Sequence, residues 1–263
     1  MRTVTPEVPK LRPRALVRGP GLCRRDLARG PLLWLVRAPE TGAPLDVSLL
    51  DADERLRAAA LRRPAERALY VTVHSALRRV LGAYSGLPAA SVRLTRLPCP
   101  GCGGPHGRPA MAGPFGARVH FSLSHSGGLA LLGLASEPVG VDLERVPGPV
   151  LAEEAAHALH PAERKELARA SVEARPSAFA RCWTRKEAYA KATGEGLSSD
   201  LVRGLYLGTG PRPAALPGWT ATDVDVPFGW AAACVVRDAL SGPATPPARP
   251  PVPYASRGSR GRR

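Results

Sequence analysis

Three strand-like segments follow one another between residues 118 and 146, with no helical pattern between them. The stretch "RVHFSLSHSGGLALLGLAS" (118–136) predicts a β-hairpin, made of a strand, a turn at Gly127-Gly128 and an apolar strand. The stretch "VGVDLERV" (139–146) alternates and predicts a third strand. The middle of the chain is therefore predicted to be β structure, with helical patterns on both sides.

The N-terminal helical pattern covers residues 51–84. Asp51 or Asp53 can serve as its N-cap, and Pro64 predicts a break between a short helix and a longer one. The longer helix carries an apolar stripe at helical spacing, made of Leu69, Val73, Leu77, Val80 and Leu81. Strands are expected on either side of this region, at 31–39 and 90–97.

The C-terminal half has a similar plan. Residues 152–170 have a helical pattern, and a longer helix over Phe179–Thr193 is expected to end at Gly194. Strands are expected at 201–207 and 217–236. Each long helix is followed by a similar phrase, "GLPAASVRL" at 86–94 and "GLSSDLVRGL" at 196–205, which indicates a duplication. We therefore expect an α+β fold with two similar α/β halves, 31–136 and 137–240, in a pseudo-twofold arrangement around a cleft.

The net charge of +15 comes mostly from the two ends of the chain. Residues 1–38 contain nine Arg or Lys and two acids, and residues 241–263 contain five Arg and no acid. Both ends are rich in Pro, Gly and Arg and lack periodicity, so residues 1–30 and 241–263 are predicted to be disordered basic tails. Such tails are either solvated or attracted to nucleic acid or an acidic surface, and they reveal little about the folded body.

Cysteine content and hydropathy indicate the compartment. Five cysteines, an odd number, argue against a disulfide framework and for a reducing cytoplasm. No apolar run is long enough to span a bilayer, and the basic N-terminus lacks the apolar core of a secretory signal. A cytoplasmic protein without a membrane partner is the expectation.

The strand at 139–146 presents two carboxylates on one face. Asp142 and Glu144 are two residues apart, so both point to the same side of a strand. Adjacent carboxylates repel, and a cation between them relieves the repulsion. A small set of hard oxygen ligands suits Mg²⁺, which usually adds water and phosphate oxygens. On this strand alone, two solvated acids on an edge strand are the preferred explanation.

The helix at 179–193 adds a third carboxylate and two of the chain's four lysines. Trp183, Glu187 and Lys191 share one helical stripe, which indicates a partly covered glutamate in need of a cationic partner. Lys186 and Lys191 stand out among 37 basic residues that are otherwise mostly Arg, and a compact ammonium is a reason to keep them. A surface ion pair beside a core tryptophan remains the alternative.

The loop "CPGCGGPHGRPAM" (99–111) has two interpretations. Cys99, Cys102 and His106 have zinc-like spacing, but a closed structural site needs four ligands and no second cysteine pair follows. The preferred interpretation is a Gly-rich loop that presents Arg108 to a phosphate. In "SLSHSGG" (122–128), short polar side chains could contact phosphate too, whereas a Ser-His nucleophile pair is excluded because strand neighbours point in opposite directions.

In this order, the motifs resemble those of the 4′-phosphopantetheinyl transferase superfamily, in its long, surfactin-synthetase-type class. "HGRP" is similar to the family's G-K-P loop, "FSLSHS" to F-N-x-S-H-S, and "GVDLE" to G-[IV]-D-x-E. "WTRKEAYAKATGEGL" is similar to W-x-x-K-E-[AS]-x-x-K-x-x-G-x-G-L. The resemblance covers about residues 31–236. Arg108 replaces the usual Lys and Ser122 the usual Asn; the first change keeps the charge, and the second leaves the role of Ser122 open.

The resemblance implies transfer of the 4′-phosphopantetheine arm of coenzyme A to a serine of an apo carrier protein, with release of 3′,5′-ADP. It implies that Mg²⁺ is held by Asp142, Glu144 and Glu187, and that Glu187 and Lys191 are catalytic. The residues implied to contact coenzyme A are Arg67, Arg108, Ser124, His125, Lys186 and Lys191.

The resemblance also implies acyl or peptidyl carrier proteins, acidic near the modified serine, as partners. An internally duplicated chain is expected to be a monomer, in polyketide, nonribosomal-peptide or fatty-acid biosynthesis. Nucleic acid is not expected as a partner. Two alternatives are a Mg²⁺-dependent nuclease, because acids, lysines and a basic chain are its ingredients too, and a non-enzymatic module that binds coenzyme A or nucleic acid.

Overall fold

The computed structural model describes residues 10–15, 27–40 and 42–239. Its strands are β1 (Arg14–Ala15), β2 (Leu32–Arg37), β3 (Leu94–Arg96), β4 (Pro109–Met111), β5 (His120–Ser126), β6 (Leu129–Ala135), β7 (Val139–Arg145), β8 (Trp219–Asp223) and β9 (Trp230–Arg237). Its helices are α1 (Ala52–Ala60), α2 (Pro64–Ser85), α3 (Pro149–Ala156), α4 (Pro161–Arg169), α5 (Arg175–Thr193) and α6 (Ser199–Gly204). The α+β class is confirmed.

The strands form three small sheets. Strands β1, β2, β6 and β5 make a four-stranded sheet in that order, with β1 parallel to β2 and the other pairs antiparallel. Strands β7, β9 and β8 make an antiparallel sheet, and β3 pairs with β4. Between the two larger sheets, Leu131 of β6 lies in one buried cluster with Val141 and Leu143 of β7.

Each large sheet carries a long helix on one face. The apolar stripe of α2 packs on the first sheet, where Leu77 and Leu81 join Trp34, Phe121 and Leu132 in one cluster. Helix α5 packs on the second sheet through Ala188, Tyr189 and Ala192, which share a cluster with residues of β9. The two helix-covered sheets meet at their edge strands β5 and β7, where the N–H of Val141 donates to Ser122 Oγ at 3.0 Å.

Most predicted elements are confirmed. The hairpin forms β5 and β6 around Gly127-Gly128, and 139–146 forms β7. Asp51 is the N-cap of α1, where its side chain accepts from the N–H of Glu54, and α2 starts at Pro64. Helix α5 begins four residues earlier than predicted and ends, as predicted, at Gly194, which has a φ of 82°.

The strand predicted at 201–207 is wrong. Residues Ser199–Gly204 form α6, because the Ser198 side chain accepts from the N–H of Leu201 and caps a helix there. The similar phrase in the first half forms a 3-10 turn over Ala89–Ser91 and then β3. The two copies of the phrase thus take different structures, and the pseudo-twofold arrangement stays a prediction.

The predicted N-terminal tail is described only in part. Residues 10–15 are not a solvated tail, because β1 pairs with β2 and Leu11 exchanges backbone hydrogen bonds with Asp223 and Asp225 beside β8. The backbone polar groups of this segment thus tie the two larger sheets together. The predicted C-terminal tail at 241–263 lies outside the described residues.

Gly140 lets α5 approach β7 closely. A Cβ atom at this position would lie 1.9 Å from the carbonyl oxygen of Ala188 and 2.5 Å from the backbone nitrogen of Ala192. Both atoms belong to the helix backbone and cannot move independently. The glycine in "VGVDLE" therefore sets the distance between the strand that carries Asp142 and the helix that carries Glu187.

Replacing Gly140 with Ala should push α5 away from β7. We expect the free energy of unfolding to fall by about 3 kcal/mol, the upper end of the usual cost of overpacking. Thermal unfolding followed by circular dichroism measures this. Gly204→Ala is the matched control, because no atom lies within 4 Å of the Cβ added there. Equal melting temperatures for the two variants would contradict the close-contact role of Gly140.

Candidate active site

Strands β5 and β7 and helix α5 bring a carboxylate, a lysine and a serine into direct contact. The Lys191 ammonium donates to Asp142 Oδ1 at 2.6 Å and to Ser124 Oγ at 3.0 Å. Ser124 in turn donates to the same Asp142 oxygen at 2.7 Å. Asp142 and Ser124 are buried, whereas the Lys191 side chain is 32% exposed. The ammonium is thus anchored at one end and open to solvent at the other.

The second oxygen of Asp142 is left without a partner. Asp142 Oδ2 is buried, and no hydrogen bond to it occurs among the described residues. A buried carboxylate oxygen without a donor is costly, because it has lost water and gained nothing in exchange. The unsatisfied oxygen marks a position where a cation or a donor from a bound molecule would be stabilised.

Two glutamates next to Asp142 have perturbed acidity. Burial raises the pKa of Glu187 above its ordinary value, and the charges of Asp142 and Glu144 raise it further, against the opposing effect of Lys191. Burial likewise raises the pKa of Glu144, partly offset by a hydrogen bond from Ser126. The charge of Asp142 thus opposes the ionisation of both glutamates, so the strand and the helix contribute acids to one electrostatic environment.

The carboxylate oxygens of Asp142, Glu144 and Glu187 do not all lie within 4.8 Å of one another. Within the described part of the chain, the only three-residue group of potential ligand atoms within 4.8 Å of one another lies elsewhere. The Lys191 ammonium neutralises Asp142 instead. The donor chemistry nevertheless fits a hard divalent cation, because all three groups offer oxygen and Asp142 Oδ2 has no other partner.

Arg108 has no carboxylate partner among the residues that the structure describes. It is half-buried. Burial lowers the pKa of its guanidinium, and the charge of Arg237 lowers it further. Arg108 also lies against the end of α5, since a Cβ at Gly194 would be 3.5 Å from its backbone nitrogen. An uncompensated, half-buried guanidinium beside a second one favours an anion there.

His120 is a neighbour of Arg108 that the sequence analysis missed. Burial lowers the pKa of His120 to about 4, and the charge of Arg108 contributes to the shift. The imidazole is therefore neutral at physiological pH and can donate or accept one hydrogen bond beside the guanidinium. One sequence feature could have pointed to His120: it lies at the start of β5, downstream of the loop that carries Arg108.

The other predicted coenzyme A contacts have different surroundings. His125 is exposed on β5, and its pKa is lowered by partial burial first and then by Lys191. Ser124 is buried and bonded to Asp142 and Lys191, so it supports those two groups instead of facing solvent. Arg67 is exposed in the first turn of α2. The charge of the adjacent Glu66 raises the pKa of His125, so this turn of α2 lies within electrostatic range of His125.

The predicted role of Lys186 in phosphate binding is contradicted by its position. Its side chain is 0% exposed and pairs with Glu163 of α4 at 2.8 Å. Its ammonium also donates to the carbonyl oxygens of Val202, at 3.0 Å, and Leu205. All three donors are thus used inside the protein. Lys186 and Lys191 lie five residues apart, which places them on different sides of α5.

Comparison with known proteins agrees with the geometry. A sequence model of the 4′-phosphopantetheinyl transferase superfamily matches residues 138–207, which include β7 and α5. A protein of Synechocystis sp., provisionally named a 4′-phosphopantetheinyl transferase, is 31% identical over 173 residues, 65% of this chain and 68% of the relative. The 4′-phosphopantetheinyl transferase HetI of Nostoc sp. is 30% identical over 200 residues, 73% of this chain and 81% of the relative.

A third relative matches over a shorter stretch. The 4′-phosphopantetheinyl transferase Sfp of Bacillus subtilis is 31% identical over 83 residues, which are 32% of this chain and 37% of that relative. No described helix combines the length and the apolar character that a bilayer crossing requires.

Proposed function

The chain belongs to the 4′-phosphopantetheinyl transferase superfamily, and we propose that it transfers the 4′-phosphopantetheine arm of coenzyme A to a serine hydroxyl of an apo carrier protein, releasing 3′,5′-ADP. The observation that carries the assignment of the site is the contact between β7 and α5. It joins a buried aspartate that has one unsatisfied oxygen to a lysine, beside two glutamates whose acidity is perturbed. The relatives support the reaction, and the geometry supports these residues as its centre.

Asp142, Glu144 and Glu187 would hold a divalent cation such as Mg²⁺. When bound, this cation neutralises the diphosphate and stabilises the leaving 3′,5′-ADP. Asp142 supports the assignment through its Oδ2, which has no partner among the described residues, and the two glutamates through pKa values raised by burial first and then by the charge of Asp142. Catalysis of phosphoryl transfer depends mainly on positioning the reacting groups and neutralising their charge, and a cluster of this kind can do both.

Glu187 is proposed to accept the proton of the carrier serine, directly or through water. Burial and neighbouring acids raise its pKa above the ordinary value, toward the range in which a carboxylate is an effective base. Lys191 is proposed to neutralise the leaving phosphate or to pass it a proton, because its ammonium is partly exposed although anchored on Asp142. Both side chains come from the same face of α5.

Arg108 is proposed to bind the 3′-phosphate end of coenzyme A. Its support is a half-buried guanidinium without an acidic partner in the described chain, flanked by neutral His120. His125 and Arg67 remain proposed phosphate contacts at exposed positions, whereas Ser124 is proposed to act by holding Asp142 and Lys191. The small net positive charge of residues 39–240 would favour the approach of an acidic acyl or peptidyl carrier protein.

The reaction is tested by mass spectrometry of an apo carrier protein incubated with coenzyme A, Mg²⁺ and this protein. We expect a gain of about 340 Da on the carrier, the mass of the transferred arm, and an equal amount of 3′,5′-ADP. A carrier whose mass is unchanged while plasmid DNA is cleaved under the same conditions would support the nuclease alternative instead. The family comparisons do not favour that alternative.

Replacing Lys191 with Arg tests whether a compact ammonium is needed. We expect the rate of transfer from a fluorescent coenzyme A analogue to fall on the order of 10²-fold, the lower end for loss of proton transfer. The larger, planar guanidinium cannot occupy the position between Ser124 and Asp142 in the same way, and it does not readily lose a proton. Lys165→Arg, at an exposed position of α4, is the matched control. A near-full rate for Lys191→Arg would show that charge alone suffices.

A further inference from the structure

The Gly-rich loop between β3 and β4 gathers three potential metal ligands outside the acidic centre. The ligand atoms of Cys99, Cys102 and His106 all lie within 4.8 Å of one another. Cys102 Sγ is 2.9 Å from His106 Nε2, and the thiol of Cys99 is hydrogen-bonded to that of Cys102. Zinc-like spacing in the sequence is therefore matched by convergence in space.

The backbone of the loop is shaped around these side chains. The N–H groups of Gly101 and Cys102 donate to the Cys99 sulfur, an arrangement that stabilises a thiolate ligand. The loop closes on itself through hydrogen bonds from Gly103 N–H to the Cys99 carbonyl, at 2.7 Å, and from Cys99 N–H to the Gly104 carbonyl, at 2.8 Å. A Cβ at Gly104 would lie 3.0 Å from the His106 ring and 3.3 Å from Cys102 Sγ. The glycine thus leaves room for the cluster.

We propose that Cys99, Cys102 and His106 bind one Zn²⁺ ion, with the fourth position filled by water. Two thiolates and an imidazole are soft and borderline ligands, which select Zn²⁺ over the Mg²⁺ proposed for the carboxylates. Tetrahedral zinc holds a sulfur and a nitrogen ligand about 3.5 Å apart, so the pair at 2.9 Å must open slightly on binding. The thiol protons are released to the buffer. Cys102 and His106 are exposed, which gives the ion a path from solvent.

The zinc site would fix the loop that carries Arg108. His106 is two residues before Arg108, and the loop ends are held by hydrogen bonds from Leu97 N–H to the Arg108 carbonyl and from Gly107 N–H to the Leu97 carbonyl, both 3.0 Å. Between these ends, the metal would cross-link the part of the loop that no strand pairing stabilises. If Arg108 binds coenzyme A as proposed above, loss of zinc should raise the KM for coenzyme A and leave kcat largely unchanged.

Metal analysis of the full-length, untagged protein tests the site without reference to activity. After reduction, loading with Zn²⁺ and dialysis, we expect one zinc per chain by plasma mass spectrometry. Loading with Co²⁺ should give the intense visible bands of a tetrahedral thiolate complex. Cys102→Ser and His106→Ala should lose both signals, and His106→Ala should keep its fold because the side chain is exposed. Cys234→Ala, which removes a buried thiol from β9, is the control that retains zinc.

Three results would overturn the proposal: no zinc retained by the wild-type chain, zinc retained by both loop variants, or a Cys99–Cys102 disulfide that persists under reducing conditions. A carrier protein that is not modified in the transfer assay, together with one bound zinc, would reject the proposed reaction and leave the zinc site standing. The two proposals therefore fail independently.

Discussion

Glu187→Gln should lower the rate of phosphopantetheine transfer by about 10²–10⁴-fold, the range typical for loss of a general base. The amide keeps the size of the side chain and removes both its negative charge and its capacity to take a proton. The protein itself should become more stable in the absence of metal. The pKa of Glu187 is raised in the folded state by burial and by Asp142 and Glu144, so its ionisation opposes folding as pH rises through that value.

Two measurements on the same variant check this prediction. Stopped-flow transfer of a fluorescent coenzyme A analogue gives the rate, and thermal unfolding in a chelating buffer gives the stability. At pH 7 the variant should melt above the wild-type protein, and the difference should shrink in acid as the wild-type carboxyl is protonated. Glu195→Gln, on the loop after α5, is the control for loss of a nearby acid. A full transfer rate for Glu187→Gln would exclude it as the base.

Lys186→Met should destabilise the protein by about 3–5 kcal/mol, because it leaves the buried Glu163 carboxylate without its cation. Glu163 also accepts the N–H groups of Leu207, at 2.8 Å, and Gly208, at 3.2 Å, so the pair connects α4, α5 and the segment after α6. Urea unfolding measures the loss. In the folded fraction, the KM for coenzyme A should stay within about twofold of wild type, since Lys186 is fully buried and occupied.

A double-mutant cycle separates the ion pair from other effects. Adding Glu163→Gln to Lys186→Met removes the buried charge that has lost its cation, and the amide oxygen can still accept from the N–H groups of Leu207 and Gly208. We expect the double variant to be more stable than Lys186→Met alone, with a coupling energy of about 0.5–3 kcal/mol. If Lys186→Met is fully stable and binds coenzyme A weakly, then Lys186 has the phosphate-binding role that the sequence predicted.

Local patterns predicted the centre of the fold well. The alternation over 139–146, the Gly-Gly turn and the helix stop at Gly194 are decided by residues close in sequence, and all three are confirmed. The prediction failed at 201–207, where the Ser198 cap starts a helix in place of the expected strand. The juxtaposition of Asp142 and Lys191 follows from spacing on a strand and a helix together with the close contact at Gly140.

Buried charges were the least predictable feature of the sequence. Lys186 is adjacent to Glu187, yet its environment is set by Glu163, which lies on another helix. Arg185 is likewise fully buried and forms two hydrogen bonds of 2.8 Å with Asp223 of β8, far away in sequence. Spacing on one helix shows which side chains share a face. It does not show which face another element covers, and a long-range partner decides that.

The most direct test of the acidic centre is a calorimetric titration of coenzyme A into the protein with and without Mg²⁺. If Asp142, Glu144 and Glu187 share one cation beside the diphosphate, Mg²⁺ should tighten the binding of coenzyme A at least tenfold in the wild-type protein, equal to about 1.4 kcal/mol of coupling. Asp142→Asn should abolish that effect. Equal affinities with and without Mg²⁺ in the wild-type protein, or an undiminished Mg²⁺ effect in Asp142→Asn, would contradict the shared metal site.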